Sequence, residues 1–319
     1  MKNGKHILIT GGAGFIGAHL VERLLKDGKS VVVIDDLSTG SRDNLRAVAQ
    51  QKSFRFIQTK ISNCPELPQL AGESEFIFHL AATVGVELVV KSALHVLEAS
   101  FNETQILLRA AAKNSTPILF TSTSEVYGKS AKPEFSEEDD LLIGPPGQSR
   151  WSYACSKLTD EFLALAYARE KNLPVTIARL FNTVGPRQTG RYGMVLPRFI
   201  SAAKNSEPLR VFGDGAQSRC FCLVHDVVEA LVRLQKNDAA RGEIFNIGGT
   251  EEISILDLAK LVVATLNSKS AIELIPYDQA YTPGFDDMRR RKPLVEKLER
   301  CVNFKPQTTL REIIQLTAG

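Results

Sequence analysis

Long apolar runs are missing from this chain, and no stretch approaches the roughly 20 apolar residues that cross a bilayer. No membrane span is therefore expected. A large excess of one charge is missing too: the net charge of +3 is too small to call for nucleic acid or an anionic membrane as a partner. Cysteine is sparse, odd in number and scattered, at Cys64, Cys155, Cys220, Cys222 and Cys301. That excludes a disulfide frame and reads as reduced thiols. Cys220 and Cys222 alternate on a strand-like segment without a second Cys/His pair, so no metal site is expected. After the basic Met1–Lys5, the apolar Ile7 to Ile9 stops at Thr10-Gly11-Gly12, too short for a signal-peptide core. A cytoplasmic location is the expectation. Internal repeats and low-complexity linkers are also lacking.

What is present is an ordinary globular composition, 44% hydrophobic and 24% charged. The 319 residues suit one large α/β unit with a smaller lobe attached. Short β-branched runs at His6–Ile9, Ser30–Ile34, Phe54–Thr59, Phe76–Leu80, Thr116–Thr121 and Val175–Leu180 alternate with amphipathic stretches such as Ala18–Lys26 and Glu103–Lys113. This rhythm predicts a doubly wound parallel sheet covered on both faces. Beyond Phe181 it breaks into loops with isolated helices, Pro197–Lys204 and Leu256–Leu266 among them. A helix at Asp226–Gln235 and a strand at Ile244–Ile247 look like a return to the sheet. The expected division is 1–181, rejoined by 218–248, and a smaller lobe of 182–217 and 249–319.

The first strand runs into Thr10-Gly11-Gly12-Ala13-Gly14-Phe15-Ile16-Gly17. Glycines at 11, 14 and 17 allow a tight turn, close approach of the backbone to a pyrophosphate, and helix-to-strand contact. The helix opening at Phe15 and Ile16 then aims its N-terminal amides at the phosphates. The second strand ends in Asp35-Asp36, about 20 residues on, as a Rossmann dinucleotide fingerprint requires. Asp35 would accept from the ribose hydroxyls and repel a 2′-phosphate, so NAD is expected over NADP.

Tyr153 and Lys157 lie four apart at the head of a helical stretch, on one face and about one turn apart. An ammonium and a positive nicotinamide ring near a phenol would favour phenolate and lower the tyrosine pKa. Such a tyrosine can take a hydroxyl proton while hydride leaves the same carbon.

Together with Thr121-Ser122-Thr123-Ser124-Glu125-Val126-Tyr127-Gly128, the stretch Arg179–Arg187 and Phe212-Gly213-Asp214-Gly215, these motifs resemble the extended short-chain dehydrogenase/reductases (the NAD-dependent epimerase/dehydratase family) over essentially the whole chain. The resemblance implies tightly held NAD, oxidation at the C4 of a nucleotide sugar, further chemistry and re-reduction. It places Thr123 at the sugar 4-hydroxyl, Asn182 and Arg219 at the diphosphate, and Phe212 on the base, although Phe212 reads equally well as a strand residue. It implies a homodimer through the helices near Tyr153 and Asn102–Lys113. The chain departs from the family at Thr59-Lys60-Ile61, where an aspartate near adenine is usual, and at Ser100, where asparagine is common.

The reaction is narrowed by four positions. Ser124 stands where dehydratases carry the acid Asp. Glu125 is retained, whereas plain 4-epimerases more often have a small or hydroxyl residue there. Arg150, three before Tyr153, could pair with a carboxylate. Phe285–Pro293, which includes Arg291, is similar to the C-terminal motif of UDP-glucuronate decarboxylases and UDP-apiose/xylose synthases, and Arg150–Cys155 is particularly similar to the latter. In that reading C4 oxidation of a glucuronate gives a β-keto acid, Arg150 or Arg291 orients its carboxylate, and Glu125 assists proton delivery directly or through water. Ala82-Thr83-Val84-Gly85-Val86 is closer to epimerases, so a UDP-sugar 4-epimerase stays open. A non-catalytic NAD sensor also stays open, although such proteins lack the Tyr/Lys pair.

Overall fold

His6–Thr10 is buried at every position, as a strand covered on both faces must be. The computed structural model describes residues 5–82, 93–190, 194–276 and 289–319. Its strands are β1 (His6–Thr10), β2 (Val31–Asp35), β3 (Phe54–Gln58), β4 (Ser74–His79), β5 (Ile118–Thr123), β6 (Val175–Leu180), β7 (Thr183–Val184), β8 (Leu209–Phe212), β9 (Ser218–Cys220), β10 (Cys222–Leu223), β11 (Ile244–Ile247), β12 (Glu252–Ser254) and β13 (Ile272–Ile275). Its helices are α1 (Phe15–Lys26), α2 (Leu67–Glu73), α3 (Ala93–Ala112), α4 (Trp151–Lys171), α5 (Val195–Lys204), α6 (Val224–Gln235), α7 (Ile255–Thr265), α8 (Glu296–Val302) and α9 (Leu310–Ala318).

Seven parallel strands make one sheet in the order β11-β6-β5-β4-β1-β2-β3, so the predicted doubly wound α/β architecture is the one found. One face is covered by α1, α6 and α8 through Leu20, Leu24, Val227, Leu231 and Leu298. The other is covered by α2, α3 and α4 through Leu70, Leu107, Leu108 and Ala164. A third core, with Leu196, Phe199, Val211, Leu258 and Ile313, holds α5, β8, α7 and α9 together beyond β6. The winding reverses between β1 and β4, and the strand ends there open a crevice that faces this third core.

Predicted boundaries shift by one to three residues at most elements, but α3 begins ten residues before the expected Glu103. The reason is that its first turns carry Leu94, Leu97 and Phe101, which are exposed and blur the amphipathic period. Phe162 on α4 is also exposed, at 64%, and α3 and α4 pack side by side. Among the described residues no helix is long and apolar enough to cross a membrane, and no group of His, Cys, Asp and Glu could hold a metal ion.

Candidate active site

At two places in the turn after β1 a Cβ would strike backbone. Gly11 has φ +75°, and a Cβ there would lie 2.5 Å from the backbone nitrogen of Ala81; a Cβ on Gly17 would strike the carbonyl of Gly11. Larger residues would push α1 off β1 and shut the crevice. The Gly14 N–H closes the turn onto the Gly11 carbonyl at 3.2 Å. Gly14 then caps α1, whose first N–H groups, from Phe15 onward, have no acceptor within the helix. At the end of β2 the Asp35 carboxylate is fixed by two backbone donors, Ala13 N–H at 2.9 Å and Leu37 N–H at 2.8 Å. Burial pushes its carboxyl up, against those two hydrogen bonds. Gly11, Gly14, Phe15, Ile16, Gly17 and Asp35 all line one cavity of about 690 Å³. The bare glycine edge, the free helix amides and the carboxylate fit a dinucleotide. Lys60 and Ile61 line the same end.

Tyr153 and Lys157 stand in the first two turns of α4 and reach the same cavity. Thr123, the last residue of β5, hydrogen-bonds the Tyr153 phenol through its side chain and accepts the Glu125 N–H at 3.3 Å. Burial, with the charges of Glu125 and Asp160, pushes the phenol well above its ordinary value, and only the Thr123 hydrogen bond opposes this. The carboxylates of Glu125 and Asp160 therefore oppose phenolate, and a cationic nicotinamide held in this cavity would favour it. Lys157 is 2% exposed; its Nζ lies 3.9 Å from Asp160 Oδ2 and 3.9 Å above the Phe120 ring. Burial lowers its pKa, against Asp160 and Glu161.

Glu125 is the second residue of a 3₁₀ turn, Ser124–Tyr127, after β5 and sits between two arginines. Arg291 Nη1 is 2.5 Å from one carboxylate oxygen and Arg150 Nη2 is 3.3 Å from the other. Burial would push the Glu125 carboxyl up, but Arg291 and Arg150 outweigh it and hold it below its ordinary value. A permanent carboxylate makes a poor direct proton donor, so the route through water is the one this geometry favours. Arg219 adds a further positive charge and donates to the Ser218 carbonyl at 2.7 Å. Ser124 is buried on the cavity wall. The Asn182 amide, also on the wall, donates to the Cys220 carbonyl at 2.9 Å, which directs it toward the backbone. Phe212 ends β8 at the far end of the cavity, with the Arg198 guanidinium 4.9 Å over its ring.

All the residues expected from sequence thus meet in one cavity. Sequence reasoning gave no site role to Arg187 and Arg198 on its wall, or to Ser100, Asp160 and His79 near Lys157. The i,i+7 spacing of Tyr153 and Asp160 along one helix was the available signal for the last group. The epimerase-like residues 83–86 and the segment 285–288 lie outside the described residues.

The model of the NAD dependent epimerase/dehydratase family matches residues 7–248. The chain is 40% identical to a UDP-N-acetyl-alpha-D-glucosaminuronate decarboxylase of Bacillus cytotoxicus, over 98% of this chain and 97% of that one. It is 33% identical to UDP-glucuronic acid decarboxylase 2 of Arabidopsis thaliana, over 99% of this chain and 68% of the relative. Its fold is similar, with a TM-score of 0.87 and 28% identity, to a UDP-glucuronic acid 4-epimerase from Bacillus cereus in complex with UDP-glucuronic acid and NAD, covering 98% of each chain. On the match, the sheet and the nucleotide crevice together, the chain belongs to the NAD dependent epimerase/dehydratase family, an enzyme family that works with NAD.

Proposed function

We propose that this enzyme decarboxylates a UDP-hexuronate to a UDP-pentose, with the 2-acetamido uronate and glucuronate as first candidate substrates. The observation that carries the reading is the pair of arginines gripping Glu125 beside Tyr153. The names of the relatives support it, the acetamido substrate more strongly by identity. Bound NAD supplies the two-electron oxidation of the sugar C4 and its reversal.

The protein's residues do the rest. Tyr153, hydrogen-bonded to Thr123, takes the C4 hydroxyl proton. The C4 ketone makes the uronate a β-keto acid, whose C5–carboxylate bond breaks to give carbon dioxide and an enolate. Arg150 and Arg291 orient the carboxylate, yet both are already shared with Glu125, so they hold it weakly. The nearby Glu125 charge repels the carboxylate and not neutral carbon dioxide, and this difference favours the product side of the step. A proton from solvent, relayed through a water ordered by Glu125, then reaches C5. Asn182, Arg219 and Phe212 serve the diphosphate and base. The chain divides, on this reading, into 1–181 with 218–248, which carries the cofactor, and 182–217 with 249–319, which carries the nucleotide sugar. A cytoplasmic homodimer is its working form.

The experiment is incubation of the NAD-loaded enzyme with UDP-glucuronate, its 2-acetamido counterpart and neutral UDP-sugars, with products read by mass and NMR. Loss of one carbon dioxide from a uronate is the expected result. An unchanged mass with inverted C4 would replace this reading by 4-epimerisation.

A further inference from the structure

Beneath the cavity the structure holds a charged group whose partner is not accounted for by the mechanism above. Asp160 is fully buried, at 0% exposure, one turn beyond Lys157 on the face of α4 that faces β4, β5 and α3. Taking a carboxylate and an ammonium out of water costs several kcal/mol for each ion unless each finds a partner. Asp160 Oδ2 lies 3.9 Å from Lys157 Nζ and accepts a hydrogen bond from Ser100 Oγ at 2.6 Å. The Thr104 hydroxyl also hydrogen-bonds this carboxyl. The other carboxylate near the lysine, Glu161, is taken up by Arg179 at 2.8 Å and by the Ser122 hydroxyl. That leaves Asp160 to balance Lys157. The arrangement extends further: Thr104 Oγ1 lies 3.2 Å from His79 Nε2, and His79 Nδ1 lies 2.7 Å from Thr10 Oγ1. Burial pushes the Asp160 carboxyl up, and Lys157, Ser100 and Thr104 oppose this.

We propose that Asp160, held by Ser100 and Thr104, is the positioning residue of Lys157: its carboxylate keeps the ammonium charged and pinned over Phe120 at the cofactor end of the cavity. The consequence for catalysis rests on the function proposed above; the anchoring does not. The titratable groups that face this pair are Tyr153 and Glu161 on α4 itself and His79 on β4. Glu103 on α3 turns its carboxylate to the Ser62 N–H at 2.9 Å. Burial drives His79 down to about 3, so it stays neutral and offers Lys157 no charge. Without Asp160, a desolvated Lys157 would shed its proton far more readily.

The test is made on NAD-loaded enzyme carrying isotope-labelled lysine, the Lys157 resonance being assigned by its loss in Lys157→Met. Asp160→Asn keeps the shape and the hydrogen bonds and removes the charge. It is expected to lower the Lys157 titration by about 1–3 units, the usual effect of one close opposite charge. The pH profile of hydride transfer from a UDP-sugar should move to lower pH with it, and Asp160→Glu should restore both. Should Asp160→Asn fail to fold, Asp160→Ser asks the same question with a smaller uncharged side chain. Superimposable lysine titrations for wild type and either uncharged variant, or a Glu variant that shifts as far as Asn, would overturn the proposal. The titration needs no substrate, so a wild type that oxidises no UDP-sugar refutes the enzyme reading alone.

Discussion

Exchange of Glu125 for glutamine keeps the side-chain outline and deletes one negative charge from between Arg150 and Arg291. Two unit charges 4 Å apart interact by about 4 kcal/mol at the effective dielectric of a protein surface. Glu125 has two such contacts, at 2.5 and 3.3 Å, but its side chain is 21% exposed. Solvent screening and the retained amide hydrogen bond reduce the cost, so a stability loss of about 2–3 kcal/mol is expected. The effect on chemistry is separate. Arginines released from Glu125 hold a substrate carboxylate more tightly, and the water that protonates C5 loses its anchor. Carbon dioxide release should fall by about 10²- to 10⁴-fold, which corresponds to about 3–5 kcal/mol of transition-state stabilisation. Oxidation at C4 should suffer much less, and KM for the uronate should fall or hold. Stopped-flow absorbance of the reduced cofactor, run beside a coupled carbon dioxide assay and a thermal melt, separates these. Parallel losses in both steps, or carbon dioxide release within about threefold of wild type, would show that Glu125 only supports the wall.

Three further outcomes follow from the same structure. Asp35→Ser should reduce the preference for NAD over NADP by tenfold or more, about 1.4 kcal/mol, because the carboxylate fixed by Ala13 and Leu37 repels a 2′-phosphate; calorimetry with each cofactor checks it. Phe162→Glu should convert a dimer to monomer in light scattering, since Phe162 on α4 and Leu94, Leu97 and Phe101 on the adjacent α3 are exposed apolar side chains; a wild-type monomer at micromolar concentration would refute the dimer. Burial lowers His79 from 6.5 to about 3 and His19 from 6.5 to about 4. The folded state therefore binds fewer protons than the unfolded one, and stability complete above pH 6.5 should drain away as pH falls toward 4. Urea midpoints across that window should show this slope, and His79→Gln should flatten it.

The cofactor half of the site was legible in the sequence because its information is local. A turn that admits only hydrogen at Gly11 and Gly17, a helix start and a strand ending in Asp35 are neighbours in the chain. Tyr153 and Lys157 are likewise tied by one helical turn. What escaped is pairing over distance. Nothing in the string says that Arg291 reaches Glu125, that Arg179 claims Glu161, or that Ser100 ties α3 to Asp160. The surroundings of Tyr153 escaped for the same reason: burial pushes its phenol up first, and the carboxylates that add to this come from Glu125 on another element and Asp160 two turns away. The early turns of α3 were missed because their apolar side chains face outward, and such a surface carries no amphipathic signature.

The seventh strand has a consequence for how this chain is made. β11 is drawn from Ile244–Ile247, yet it pairs in parallel with β6 at the edge of the sheet, and Asn246 receives the Tyr127 hydroxyl at 2.7 Å. While the ribosome is still adding the residues between them, β6 must wait with one row of N–H and C=O groups unpaired. Strand edges of that kind are where nascent chains stick to one another. Arg179, next to last in β6, carries a buried ion pair at that stage without the Tyr127–Asn246 link beside it. The β6 edge is therefore covered only once residues near 247 have left the exit tunnel, and not when the first six strands are complete.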